Sequence, residues 1–140
     1  MSFYPGKFPV VVNMAAGVKL GGVAVTSSAA ELNLNDQQVQ TLVADGAITA
    51  KNGVCVISKT VPGVVAATLA DPTAGTDDFN RLTIINGTAH ASTITSASSF
   101  GGGGAARDVA TFGGAVGDTL SLLAYGGKWY VIGTFGATLA

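Results

Sequence analysis

Charge is what this chain has least of. Only 11% of its 140 residues are Asp, Glu, Lys or Arg, seven basic against eight acidic, where an independent soluble domain carries about a quarter. A surface so short of charge is expected to face other protein over part of its area. The seven basic residues form no cluster, so nucleic acid is not expected as the main partner. There is one cysteine, Cys55. An intrachain disulfide is therefore impossible, and packing of the core must hold the fold. Only His90 is available as a histidine, so one subunit cannot assemble a tetrahedral zinc site from nitrogen and sulfur ligands. No apolar run approaches the roughly 20 residues that cross a bilayer, and no membrane partner is expected. The run FPVVVNMAAGV after Lys7 is broken by Pro9 and preceded by Pro5 and Gly6, which argues against a secretory signal.

What the chain does have is glycine, 20 residues of it, and many β-branched residues. Residues 1–25 mix aromatic, Pro, Gly and Val without a helical period and read as an extended N-terminal arm. Val10-Val11-Val12 could add as a strand to a neighbouring sheet or form an edge strand of the chain's own. Residues 26–52 read as a short helical segment and linker. Ser28-Ala-Ala-Glu31 has the form of a capping box, Val39, Leu42 and Val43 share a helical face, and Gly46 is placed to end it. From Gly53 to Ala140 the pattern alternates. The segments GVCVISKTV, VVAATLA, NRLTIIN, HASTITSAS, RDVATF, DTLSLLAY and KWYVIGTF are separated by Gly- and Pro-rich turns. The expected fold is mainly β: a small antiparallel sandwich or jelly roll. Gly126-Gly127 suits a two-residue hairpin, and of Trp129 and Tyr130 one should enter the core while the other lies near the surface.

Candidate chemistry is thin. Gly101-x-Gly103-x-x-Ala106 fits the dinucleotide fingerprint, but that motif needs a following helix, and Gly113, Gly114 and Gly117 would break one. Gly127-Lys128 is followed by Trp129, so the hydroxyl of a phosphate-binding loop is missing. Cys55 and His90 could make a nucleophile–base pair by inventory alone. However, Cys55 alternates among valine and isoleucine, where a small buried thiol is the simpler reading. Asp71, Asp77 and Asp78 lack calcium-loop spacing and match ordinary turn chemistry. No catalytic residue, cofactor or metal is expected, and the chain does not read as an enzyme.

The stretch TLADPTAGTDDFNRLTIINGTAHASTITSASSF, followed by GGAVGDTLSLLAYGGKWYVIG, resembles a β-rich module of tailed-bacteriophage virion proteins. VTSSAAELNLND is similar to a "T-x-A-E-L-N" segment of phage capsid-associated and fibre proteins. Together they span residues 23 to 140. The resemblance implies a virion structural protein, commonly a homotrimer, such as a capsid decoration (cement) protein on the outer surface of the head. Its partner would be the major capsid protein, contacted by arm residues Phe3, Tyr4, Phe8, Val10, Val11 and Val12. The alternative it leaves open is a head-fibre or tail-fibre tip module that recognises a host surface glycan. Arg107-Asp108, after the glycine run, reads as a local or intersubunit ion pair.

Overall fold

A computed structural model describes residues 19–20, 23–24, 37–59, 61–101 and 107–140 of the protein. Among these residues there are twelve strands and no helix. Two of them, β1 (Lys19–Leu20) and β2 (Val23–Ala24), pair antiparallel with each other. The other ten make two five-stranded sheets around one core. In the first sheet lie β3 (Gln38–Leu42), β5 (Gly53–Ile57), β7 (Arg81–Asn86), β10 (Thr119–Tyr125) and β11 (Lys128–Phe135). The second holds β4 (Gly46–Ile48), β6 (Ala66–Leu69), β8 (Thr93–Ser96), β9 (Val109–Phe112) and β12 (Ala137–Leu139).

The expected sandwich is there, but its sheets are mixed rather than antiparallel. The chain alternates between sheets from β3 to β8, so that β3, β5 and β7 run parallel in one and β4, β6 and β8 run parallel in the other. Parallel neighbours need a long crossover, which is usually a helix. Here each crossover is a strand of the opposite sheet, and the first six strands of the sandwich form a flattened coil. The last four strands close it by antiparallel pairing. β9 adds to β8, β10 to β7, β11 to β10 through the Gly126-Gly127 turn, and β12 to β9. Both glycines of that turn have positive φ, 57° and 76°, as a primed hairpin turn requires.

The helix expected within residues 26–46 is corrected over its described part. Gln38–Leu42 is the edge strand β3, in parallel register with β5 from Gln38↔Gly53 to Leu42↔Ile57. Val39, Thr41 and Val43 are β-branched and favour the extended chain, and the glutamines between them hold the next turn. The Gln40 carbonyl oxygen accepts from the amides of Thr49 and Ala50 while its amide donates to the Ala47 carbonyl, and the Gln38 side chain accepts from the Lys51 amide. Gly46 opens β4 instead of ending a helix. The sandwich thus begins at Gln38, inside the stretch read as helix and linker.

The core forms where the inner faces meet. Cys55, Ile57, Leu82, Ile84, Leu120 and Leu122 of the first sheet pack with Ile48, Ala67, Leu69, Ile94, Ala110 and Phe112 of the second. Burial alternates along every central strand, as half-buried sheets require. Trp129 closes one end of the core, with its indole N–H donating to the Ala70 carbonyl at 2.9 Å. Tyr130 takes the outer face. At the other end Asn86, fully buried, ties the loops together: its amide group donates to the carbonyls of Thr88, His90 and Ala115.

Candidate functional site

The arm residues Phe3, Tyr4, Phe8, Val10, Val11 and Val12 lie outside the described residues, as do residues 102–106 of the glycine run. What flanks that run is described. Phe100 is buried before it and Arg107 leads straight into β9, which pairs antiparallel with β8. A loop between two antiparallel neighbours cannot present the strand–turn–helix geometry that holds a dinucleotide phosphate. Gly101 itself packs under Tyr130, where an added Cβ would overlap the ring. Arg107 and Asp108 are exposed.

Cys55 sits on the inner face of β5 with no exposed surface, and burial pushes its thiol up to about 11. A thiol so placed stays protonated and is a poor nucleophile. His90 lies half-buried in the turn after β7, where its carbonyl accepts from the Asn86 side chain and the Ser92 amide. The three clustered aspartates have separate local roles. Asp71 accepts from the amide and hydroxyl of Ser98, and Asp78 accepts from the amide of Gly126. Asp77 accepts from the Thr73 amide and, at 2.7 Å, from the Lys51 ammonium. Burial pushes its carboxyl up, but the Lys51 and Thr73 hydrogen bonds and the Lys51 charge outweigh that and hold it below the usual carboxylate range. The Asp77–Thr73 bond is the local turn chemistry that Asx residues supply, whereas Asp71 and Asp78 tie their loop to Ser98 and Gly126, 27 and 48 positions away, and among the described residues no group of His, Cys, Asp or Glu is arranged to hold a metal.

The distinctive chemistry is on the outer faces. Across the ten strands of the sandwich only Arg81 and Lys128 are charged, and each is the first residue of its strand. Every other described charge of the sandwich is in a loop. The two faces differ in what they carry instead. On the second sheet the register aligns Ala66–Thr93–Thr111–Thr138 and, beside it, Ala47–Thr68–Thr95–Val109. These are small, mostly hydroxylated side chains that water can satisfy. A cavity of about 330 Å³ beside Ala47, Thr68 and Thr95 contains no titratable group.

The outer face of the first sheet mixes bulky apolar side chains with hydroxyls. Its rows are Val39–Val54–Thr83–Ser121–Gly133 and Thr41–Val56–Ile85–Thr119–Phe135, with Leu123 and Tyr130 beyond them. Phe135 and Val39, at opposite edges, are 71% and 79% exposed. At the hairpin end the face runs into an aromatic group. Phe79 and Tyr125 have ring centroids 5.7 Å apart, and Tyr125 and Tyr130 are 6.5 Å apart. Phe79 is 69% exposed and has φ of 69°, among the described residues the one non-glycine in the left-handed region. That conformation costs of order 1–3 kcal/mol. It is held by the Phe79 amide, which donates to the Ala124 carbonyl at 2.7 Å, and by the return bond from the Ala124 amide to Asn80.

Sequence reasoning identified none of this surface except the general shortage of charge. The residues come from five separated strands, and only the pairing register brings them onto one face.

No protein-family model matches the chain, and no curated protein matches it. A solved structure described as a chaperone–substrate complex is similar at 16% identity and a TM-score of 0.40 over 70% of this chain. The match spans 18% of the length of that chain, and a likeness at this level carries no argument about fold or function.

Proposed function

We propose that the protein is a non-enzymatic structural component of a tailed-phage virion, a decoration protein that binds the major capsid protein and stabilises the head shell. The observation that supports this most is the placement of charge: the sandwich keeps it at strand starts and in loops, so that the only charges on the outer side of its strands are Arg81 and Lys128, both at one end of the first sheet. A protein built this way works by burying surface, which contributes about 25 cal/mol per Å² of apolar area. Repetition over a shell multiplies small contacts. The protonated, buried Cys55 and the structurally engaged aspartates fit the same reading, as does the resemblance of residues 23 to 140 to phage virion modules.

In this account residues 1 to about 25 clamp the capsid and the sandwich stands outward. Deleting residues 1–12 is expected to abolish binding to purified heads while far-UV circular dichroism of the β domain is unchanged. Full occupancy of heads by the truncated protein would contradict the clamp.

One observation favours a second reading, a fibre-tip module that recognises a glycan. The Phe79–Tyr125–Tyr130 group gathers three rings at the surface, and exposed rings stack on sugars as they do on other apolar faces.

A further inference from the structure

Most charged side chains of the sandwich are held by the fold. Asp45, Asp71, Asp78 and Asp118 accept from backbone amides, Lys59 donates to the Val64 carbonyl, and Lys51 pairs with Asp77. Among the described residues four side chains are not engaged in this way: Arg107 and Asp108 beside the glycine run, and Arg81 and Lys128 on the outer face of the first sheet. The last two stand among aromatic rings. Register sets Lys128 directly opposite Tyr125, and places Arg81 and Tyr130 on either side of Leu123. Side chains facing each other on adjacent strands are about 5 Å apart, and those two strands apart about 10 Å. Tyr125 meets Phe79 and Tyr130 at ring centroids of 5.7 and 6.5 Å. The hairpin end of this face therefore gathers three rings and two cations. Asp78, next in the chain to Phe79, is turned to the hairpin, where its Oδ1 accepts from the Gly126 amide. Phe79 is held exposed at its left-handed φ of 69°, and backbone strain of this kind gathers at ligand-binding sites.

We infer that this end of the first sheet binds an acidic glycan, a sugar chain that carries carboxylate, sulfate or phosphate groups. Here we rest on the glycan reading of the ring group and add the charge of its ligand; the decoration reading does not depend on it. Tyr and Phe rings take the apolar face of a sugar, and the tyrosine hydroxyls stay in water beside the sugar's own. Arg81 offers a planar fork that matches a carboxylate, sulfate or phosphate, and Lys128 a point charge. A small anion alone would make no use of the rings. A peptide that extended the sheet would need an edge strand, whereas Arg81 and Tyr125 stand on β7 and β10, two interior strands. Both cations are exposed, so they add selectivity for acidic over neutral chains more than they add affinity.

The test is binding of the full-length protein to an array that presents the same sugar chains in neutral, carboxylated, sulfated and phosphorylated forms. Acidic forms are expected to bind about tenfold more tightly than their neutral parents, a preference lost in about 0.5 M salt. Arg81→Gln with Lys128→Gln should bring the acidic forms down to the level of the neutral ones. Arg107→Gln, which removes an exposed cation beside β9 of the second sheet, should change binding by less than about twofold. Tyr125→Ala should weaken acidic and neutral forms alike. Unfolding midpoints check that each variant remains folded, and Lys128→Gln alone replaces the pair if the pair does not. Equal binding of acidic and neutral forms would overturn the inference and leave the glycan reading standing, as would an acidic preference that survives Arg81→Gln with Lys128→Gln or falls equally with Arg107→Gln. Binding to no chain on the array would overturn both.

Discussion

The single residue with the most to lose by titration is Asp77. Its carboxylate is almost buried, yet it stays ionised because Lys51 and the Thr73 amide hold the charged form. With its folded-state pKa below the unfolded value of 3.8, the stabilisation is present above that value and is lost as pH falls through the depressed one. Asp77→Asn should therefore destabilise the protein near neutral pH and make no difference in strongly acid solution. The loss at neutral pH is expected to be about 1 kcal/mol, kept modest because the Lys51 side chain is 44% exposed and partly screened. Urea unfolding of both proteins at the two pH extremes measures it, and an equal penalty at both would show that the ion pair is not the cause. The local turn bond of Asp77 to Thr73 was readable from the residues themselves, because Asx side chains bond to backbone close by in sequence, but Asp71 and Asp78 bond to Ser98 and Gly126, 27 and 48 positions away. The partner Lys51 was not readable, since it comes from the turn before β5, 26 positions away.

At the scale of elements, the strands from β5 to β11 were legible because alternation and glycine turns are local signals. Three strands of the sandwich were not. β3 and the residue after it carry Val39, Leu42 and Val43 at helical spacing, with cap-like residues at both ends of the segment, and only pairing with β5 decides for the strand. β4 and β12 have three residues each, too few to show a period. Parallel order was also hidden, because parallel and antiparallel strands share the same two-residue repeat. The β3–β5 pairing rests on a close approach at Gly53, whose φ is 126° and whose missing Cβ would overlap the Gln38 carbonyl oxygen. Gly53→Ala is expected to cost about 3 kcal/mol or more, from overlap added to backbone strain. Gly75 has positive φ but open space around it, so Gly75→Ala should cost only about 1 kcal/mol. Equal penalties in denaturant titrations would mean that contact with β3 contributes nothing.

At the scale of the whole molecule, the sandwich has threonine on the outer face of both sheets, with more bulky apolar residues among them on the first. The low charge of the composition was legible, but where on the fold the apolar residues gather was not. Val54, Ile85, Leu123 and Phe135 are far apart in sequence and meet only through the register. The proposed function is a matter of where this sandwich sits on a particle. Electron cryo-microscopy of virions that carry this chain tests that account most directly. The prediction is density for the two-sheet sandwich at regular positions over the outer surface of the head. Density confined to the tail tip would contradict it and favour the glycan-binding alternative.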